Sequence, residues 1–133
     1  MIVVDTSAII AMLQQEPEAE AIAEQLRTAP AATIGAPTKF ELLLVASRRP
    51  QSIDDVRNTL AAFSIAVAPW TDDLAELAID AHLRFGKGRH PAALNFGDCM
   101  AYALAKSLDA PLLFKGDDFA KTDVRSAIAP GLA

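Results

Sequence analysis

The sequence predicts an α/β protein: a three-layer α/β/α sandwich with a central, mostly parallel sheet. Short apolar runs alternate with longer helical segments along the chain, which is the order typical of parallel sheets covered on both faces. Apolar residues make up 52% of the sequence and charged residues only 22%, enough to build a sizeable core. Because 133 residues match the usual size of one domain, we expect a single domain over residues 1–133.

Each apolar run in the first half is followed by a helix-start signal. Residues 2–4 are the first predicted strand, and Thr6 or Ser7 is placed to cap a helix over residues 7–14. A proline with flanking glutamates predicts a second helix over residues 17–27. Residues 32–34 are the next predicted strand, and Pro37 begins the helix that carries Glu41.

The second half repeats this alternation. Ser52, after a predicted turn at residues 50–52, caps a helix over residues 53–63, and Thr71 caps one over residues 72–85. Residues 65–68 and 112–114 are predicted strands, and a helix is expected over residues 96–108. Glycines and a proline indicate a loop at residues 86–91, and the tail around Pro130 and Gly131 is predicted to be irregular.

Composition narrows the class of protein. The net charge of −5 argues against broad attraction to nucleic acid, but a bound metal would reverse the local sign, so nucleic acid remains possible as a substrate. No apolar stretch approaches the ~20 residues that cross a bilayer, and the chain begins with a strand rather than a signal segment. Cys99 is the only cysteine, which excludes an internal disulfide and favours a cytoplasmic location.

Acidic residues stand where the chain changes between strand and helix. Asp5 ends the first strand, Glu41 lies in an apolar helical stretch, Asp98 opens a helix, and Asp117 and Asp118 follow the last strand. In parallel sheets, ligands bind beyond the carboxyl ends of the strands. Carboxylates that meet there would repel one another unless a divalent cation lies between them. A magnesium or manganese site is therefore the leading hypothesis.

Each acid also has a simpler explanation. Asp5 could serve only as a helix cap, and Glu41 as a solvated side chain beside Arg48. Asp98 stands three residues after Asn95, which resembles a capping box with a shortened acid. A glycine followed by two aspartates is common in turns. Each alternative is credible alone, but their coincidence in one fold is less so.

The order of these motifs resembles the PIN-domain ribonucleases, and most closely the VapC-type toxins of type II toxin–antitoxin pairs. The segments that carry the resemblance, on either side of Glu41, are Val3-Val4-Asp5-Thr6-Ser7-Ala8, Asn95-Phe96-Gly97-Asp98-Cys99 and Leu112-Leu113-Phe114-Lys115-Gly116-Asp117-Asp118-Phe119. The resemblance implies a Mg²⁺-dependent endoribonuclease, with Mn²⁺ as a possible substitute, in which Asp5, Glu41 and Asp98 bind the metal.

The fourth acid departs from the common pattern. Many PIN domains have an aspartate three residues before the phenylalanine of the last motif, where this chain has Gly116. Asp118 is favoured slightly over Asp117 for that role. Thr6, Ser7 and Asn95 are candidates to ligate metal-bound water or to orient the acids, with helix capping as the alternative.

The resemblance also implies partners: a homodimer and a cognate VapB-type antitoxin that points a basic residue at the acids. RNA would need local positive charge, and the candidates, against the alternative of a solvated loop, are Arg84, Lys87, Arg89 and Lys115. His90 is expected to be exposed and inert, and Cys99 and Trp70 to be structural.

Other functions remain open. A PIN nuclease could process RNA without any antitoxin, and Gly116 leaves room for an inactive PIN-like module that binds a metal or a partner. A receiver domain would need an aspartate at the end of a central strand, which residues 65–68 do not supply. A haloacid-dehalogenase-like phosphatase would need a second aspartate where Ser7 stands.

Overall fold

The computed structural model describes residues 1–50 and 52–128, so Gln51 of the predicted turn and the predicted irregular tail lie outside the described residues. Within this part, strands β1 (Ile2–Val4), β2 (Ala32–Gly35), β3 (Ala66–Ala68) and β4 (Leu112–Leu113) form one sheet. The strand order is β3-β2-β1-β4, and every pairing is parallel. The predicted parallel α/β class is confirmed.

The helices of the described part follow the predicted alternation. They are α1 (Thr6–Leu13), α2 (Ala19–Thr28), α3 (Ala36–Ala46), α4 (Ile53–Ala62), α5 (Asp72–Phe85) and α6 (Phe96–Ser107), with a 3₁₀ helix at Phe119–Lys121. Ser52 and Thr71 cap α4 and α5 as predicted. Among the described helices, none combines the length and the apolar character that crossing a bilayer requires.

Two predicted helix starts are wrong, and a third, at Pro37, is one residue late because α3 begins at Ala36. The first helix is capped by Asp5, whose carboxylate accepts a hydrogen bond from the backbone N–H of Ser7, and Thr6 is already helical. Aspartate, threonine and serine all cap well, so three such residues in a row leave the boundary ambiguous. The second helix begins at Ala19, because Pro17 and Glu18 form a turn before it.

The sheet separates two apolar cores, and the alternation of side chains along each strand assigns residues to them. Ile2 and Val4 pack into the core that contains residues of α1 to α4. Val3 points the other way and packs with residues of α5 and α6. Leu112 and Leu113 of β4 divide in the same manner. Helices on both faces give the three layers.

The strand order places a topological switch between β1 and β4. After β1 the chain adds β2 and β3 on one side of β1, and then returns to add β4 on the other. The backbone N–H of Asp5 donates to the carbonyl of Leu113 at 3.0 Å, so the ends of both strands lie side by side. A crevice beyond such a switch is the preferred ligand position in open parallel sheets.

Candidate active site

Asp5 is held at this switch by a short chain of hydrogen bonds. Its side chain is only 5% exposed. One carboxylate oxygen, Oδ2, accepts from the backbone N–H of Ser7 at 3.0 Å and from the Ser7 hydroxyl at 2.6 Å. That hydroxyl also accepts from the backbone N–H of Lys115, just after β4, at 3.0 Å. Asp5 is therefore both the cap of α1 and a carboxylate positioned by β4.

Glu41 approaches Asp5 from α3. The Thr6 hydroxyl donates to Glu41 Oε1 at 2.6 Å. On the other side the carboxylate lies against Gly97 of α6, where an added Cβ would come within 2.1 Å of Glu41 Oε2. The side chain is half-buried and contacts α1 and α6, and no ion pair between Glu41 and Arg48 is found among the described residues.

Asp98 and Asn95 form the predicted capping box at the start of α6. The backbone N–H of Asn95 donates to Asp98 Oδ2 at 3.1 Å, and Asn95 Oδ1 accepts from the backbone N–H of Asp98 at 2.8 Å. These two bonds hold the half-buried carboxylate at the first turn of the helix, where the helix dipole favours negative charge. The same two hydrogen bonds thus cap α6 and orient the Asp98 carboxylate.

The electrostatics show that the acids come together. The pKa of Asp5 is raised to about 6, chiefly by burial; the Ser7 hydrogen bonds lower it, and the charges of Asp98 and Glu41 add to the rise. The pKa of Asp98 is also raised, first by burial, which the Asn95 backbone N–H opposes, and then by Asp118 and Glu41. Four acids from four separate segments therefore act on one another.

Asp117 and Asp118, which follow β4, differ in their effect on the pKa of Asp98. Asp118 is among the charges that raise the pKa of Asp98, whereas Asp117 is not. Both side chains are exposed. This favours Asp118 as the fourth acid.

The donor set fits a hard divalent cation such as Mg²⁺, which prefers carboxylate oxygens and retains several waters. Asp5, Glu41 and Asp98 each have one oxygen held by a hydroxyl or a backbone N–H. Among the described residues, no hydrogen bond to the second oxygen of any of the three is found. Within residues 1–50 and 52–128, however, no three histidine, cysteine or acidic side chains stand close enough to enclose an ion as placed. Binding therefore requires the side chains to close inward, against their mutual repulsion.

Two of the predicted RNA contacts are engaged elsewhere. The Lys115 ammonium is paired with Glu16 and, at 3.7 Å, with Glu18 in the segment between α1 and α2. Arg84 is paired with Asp80 at 3.6 Å and Asp123 at 3.3 Å. For Lys87 and Arg89, no ion pair occurs in the part of the chain that the structure describes.

An apolar groove of about 550 Å³ lies between α5 and α6, and its lining includes Phe96 and Cys99, which flank Asp98 in the sequence. Asn95 and Phe96, just before Asp98, lie in its lining together with Lys87. Phe96 is 84% exposed, although it is a large apolar side chain. Trp70 and Cys99, which were predicted to be structural, also line this groove.

Sequence reasoning missed Phe96 and Gly97 as parts of the site. The signal for Gly97 was present: a glycine in the first turn of a helix is unfavourable by propensity, and this one is followed by an acid. For Phe96 no sequence signal separated it from a core residue.

The fold and the site together define a parallel α/β domain with a carboxylate site at the carboxyl ends of its strands. The family model described as "PIN domain" matches residues 2–125. The chain therefore belongs to the PIN-domain family, and its curated relatives place it among the VapC ribonucleases. It is similar to Ribonuclease VapC42 of Mycobacterium tuberculosis, with 41% identity over 128 residues covering 94% of this chain and 98% of the relative. Ribonuclease VapC of Mycolicibacterium smegmatis is 40% identical, over 92% and 96% of the two chains.

Solved structures agree on the fold. The crystal structure of Mycobacterium tuberculosis VapC20, described as a sarcin-ricin loop cleaving toxin, matches with a TM-score of 0.72 and 17% identity, covering 93% of this chain and 96% of that one. A toxin–antitoxin complex from Klebsiella pneumoniae matches with a TM-score of 0.70 and 20% identity, over 92% and 93%. The predicted PIN-like fold is thus confirmed.

Proposed function

We propose that this protein is a Mg²⁺-dependent endoribonuclease that acts as the toxin of a toxin–antitoxin pair in the cytoplasm. The observation that carries the proposal is the convergence of Asp5, Glu41, Asp98 and Asp118 at the β1/β4 switch, where burial and, to a smaller extent, the acidic neighbours raise the pKa values of Asp5 and Asp98. The relatives at 40 and 41% identity are named ribonucleases, which supports RNA as the substrate.

The chain's own residues have distinct tasks in this proposal. Asp5, Glu41 and Asp98 would hold the cation, with Asp118 as the fourth acid. When bound, Mg²⁺ or Mn²⁺ would supply the positive charge that lets a phosphodiester approach these carboxylates and would acidify the attacking water. Ser7 fixes Asp5 through its hydroxyl, and the remaining hydrogen bonds keep one oxygen of each acid directed at the protein.

The arrangement also explains why burying these acids is tolerable. A carboxylate in an apolar setting is costly unless it is paired or hydrogen-bonded. Asp5, Glu41 and Asp98 each have at least one such bond, yet burial still raises the pKa values of Asp5 and Asp98, so the protein alone does not fully stabilise their negative charge. A cation would neutralise that charge, and so would a basic side chain from a partner.

The partner is proposed to be a VapB-type antitoxin that lies in the groove beside Phe96 and directs a basic residue at the acids. An exposed aromatic residue next to a cluster of carboxylates suits a segment that combines apolar and cationic side chains. One solved structure of similar fold is a toxin–antitoxin complex, which is consistent with this. We further propose a homodimer, to be tested by light scattering of the purified protein.

The decisive experiment is RNA cleavage by folded protein freed of any co-purified antitoxin. Transfer, ribosomal and messenger RNA are each incubated with Mg²⁺, Mn²⁺ or EDTA. Asp98→Asn should lose at least about 100-fold in rate while keeping its fold, because ligands that act as a unit are not replaceable one by one. Asp73→Asn, an exposed acid in the first turn of α5, is the matched control and should cleave normally.

The outcomes separate the alternatives. EDTA-sensitive cleavage that Asp98→Asn lacks supports the nuclease. Equal cleavage by Asp98→Asn would remove that residue from the site. A folded protein that binds Mn²⁺ but cleaves no RNA of any class would point instead to a binding module.

A further inference from the structure

We infer that Gly97 is a positioning residue of the active site, because its missing side chain leaves the space that the Glu41 carboxylate occupies. The inference rests on the proposed function, since it concerns how Glu41 is presented to a cation. Gly97 has no side chain that could bind a metal, but on this inference metal binding depends on it.

The contact is specific to one side chain. A Cβ built on Gly97 would lie 2.1 Å from Glu41 Oε2, 2.8 Å from Glu41 Cδ and 3.1 Å from Glu41 Oε1. These three nearest atoms all belong to the carboxylate of Glu41. No backbone atom is among them, so an added methyl group would compete with that carboxylate rather than with the main chain.

Backbone conformation does not explain the glycine. Among the described residues, the glycines with positive φ are Gly88 and Gly116, whereas Gly97 lies inside α6. At a helical position alanine is the better residue by intrinsic propensity. A glycine that is neither needed for a turn nor favoured in a helix indicates that space is required here.

The opposite side of Glu41 is also fixed. The Thr6 hydroxyl donates to Oε1 at 2.6 Å, while Oε2 faces Gly97. The carboxylate is therefore held between the first turn of α1 and the first turn of α6, the turn that also contains Asp98. A methyl group on Gly97 would push the end of a flexible side chain out of this gap, leaving the helices in place.

The substitution Gly97→Ala should therefore displace the Glu41 carboxylate without destabilising the fold. We expect Gly97→Ala to melt at or above the temperature of the wild type and to bind Mn²⁺ more weakly by about 10- to 100-fold, the range for residues that orient metal ligands. Mn²⁺ binding is measured from the electron paramagnetic resonance signal of the free ion, and RNA cleavage should fall in parallel.

A double variant tests whether the effect passes through Glu41. Glu41→Ala removes the clashing side chain, so adding Gly97→Ala to it should cause no further loss of Mn²⁺ affinity. Gly35→Ala is the matched control, because a Cβ there meets only ordinary contacts, 3.5 Å from Leu104 and 3.7 Å from Thr38. Its Mn²⁺ affinity should equal that of the wild type.

Two results would overturn the inference: wild-type Mn²⁺ affinity in Gly97→Ala, or equal losses from Gly97→Ala with and without the Glu41 side chain. A crystal structure of Gly97→Ala tests the inference without any activity measurement. A displaced Glu41 carboxylate supports the inference, and an unmoved one refutes it. If the wild type neither binds Mn²⁺ nor cleaves RNA, the proposed function fails, while this structural result still judges Gly97.

Discussion

Replacing Asp5 by asparagine should stabilise the metal-free protein at neutral pH and abolish cleavage. Burial raises the pKa of Asp5 from 3.8 to about 6. Between these pH values the folded protein keeps a proton that the unfolded chain has released, so the free energy of unfolding falls as the pH rises. A shift of about two units corresponds to about 3 kcal/mol, reached once the pH exceeds the pKa of the folded state. Asparagine has no such charge to desolvate and caps helices about as well as aspartate.

The assay is urea denaturation in EDTA, with wild type and Asp5→Asn compared at pH 4.5 and pH 7.5. At the lower pH the unfolded chain has already released most of this proton, so the variant should be more stable by about 1 kcal/mol there, and by about 3 kcal/mol at the higher pH. Asp73→Asn is the control, and it should lower the free energy of unfolding where Asp5→Asn raises it. Its exposed carboxylate lies in the first turn of α5, so losing it should cost about 0.3–1 kcal/mol at neutral pH.

Adding Mg²⁺ at pH 7.5 should cancel most of the difference in stability between wild type and Asp5→Asn. A ligand that binds only the folded state at 100 times its Kd contributes about 2.7 kcal/mol, and Asp5→Asn should lose most of that gain. The reasoning is refuted if the stability difference between wild type and Asp5→Asn is the same at both pH values. In that case Asp5 would not be a desolvated carboxyl group.

Three further outcomes are expected. Asp118→Asn should reduce cleavage more than Asp117→Asn, because Asp118 contributes to the raised pKa of Asp98 and Asp117 does not; equal rates would leave the fourth acid unassigned. Ser7→Ala should destabilise the protein by about 1–3 kcal/mol in urea denaturation, since the Lys115 backbone N–H loses its acceptor, and an unchanged stability would contradict this. Lys115→Met should leave RNA affinity unchanged in fluorescence anisotropy, because its ammonium is paired with two glutamates, and a weakened complex would restore it as an RNA contact.

The sheet could be predicted because each strand is a short apolar run, and because polar caps mark the helix starts that follow β1 and β3. The errors fall where several residues could play the same part. Asp5, Thr6 and Ser7 are all good caps, and the choice among them depends on tertiary contacts: the Thr6 hydroxyl is taken by Glu41, and the Ser7 hydroxyl joins Asp5 to Lys115. Such contacts leave no periodic trace in the sequence.

Part of the site was predictable because two of its acids lie at the ends of secondary-structure elements. Asp5 and Asp98 stand at a strand end and a helix start, where position alone suggests a function. Glu41 lies within a helix and its partners Thr6 and Gly97 are distant in sequence, so its apolar surroundings indicated a role, and only the resemblance to a family assigned it to the metal. Arg84 and Lys115 show the converse, because cations near the acids in sequence pair with acids from other segments in the fold.

Capping and catalysis are not competing explanations for these acids. Asp5 caps α1 and Asp98 belongs to the capping box of α6, so two helix N-termini face the same crevice and each favours negative charge there. These bonds lower the pKa of both acids, yet burial outweighs them, and the pKa values end up raised. The fold thus brings these carboxylates to the β1/β4 switch in a setting where burial disfavours their charged forms. A cation would offset that cost, and helix capping places two of the acids there.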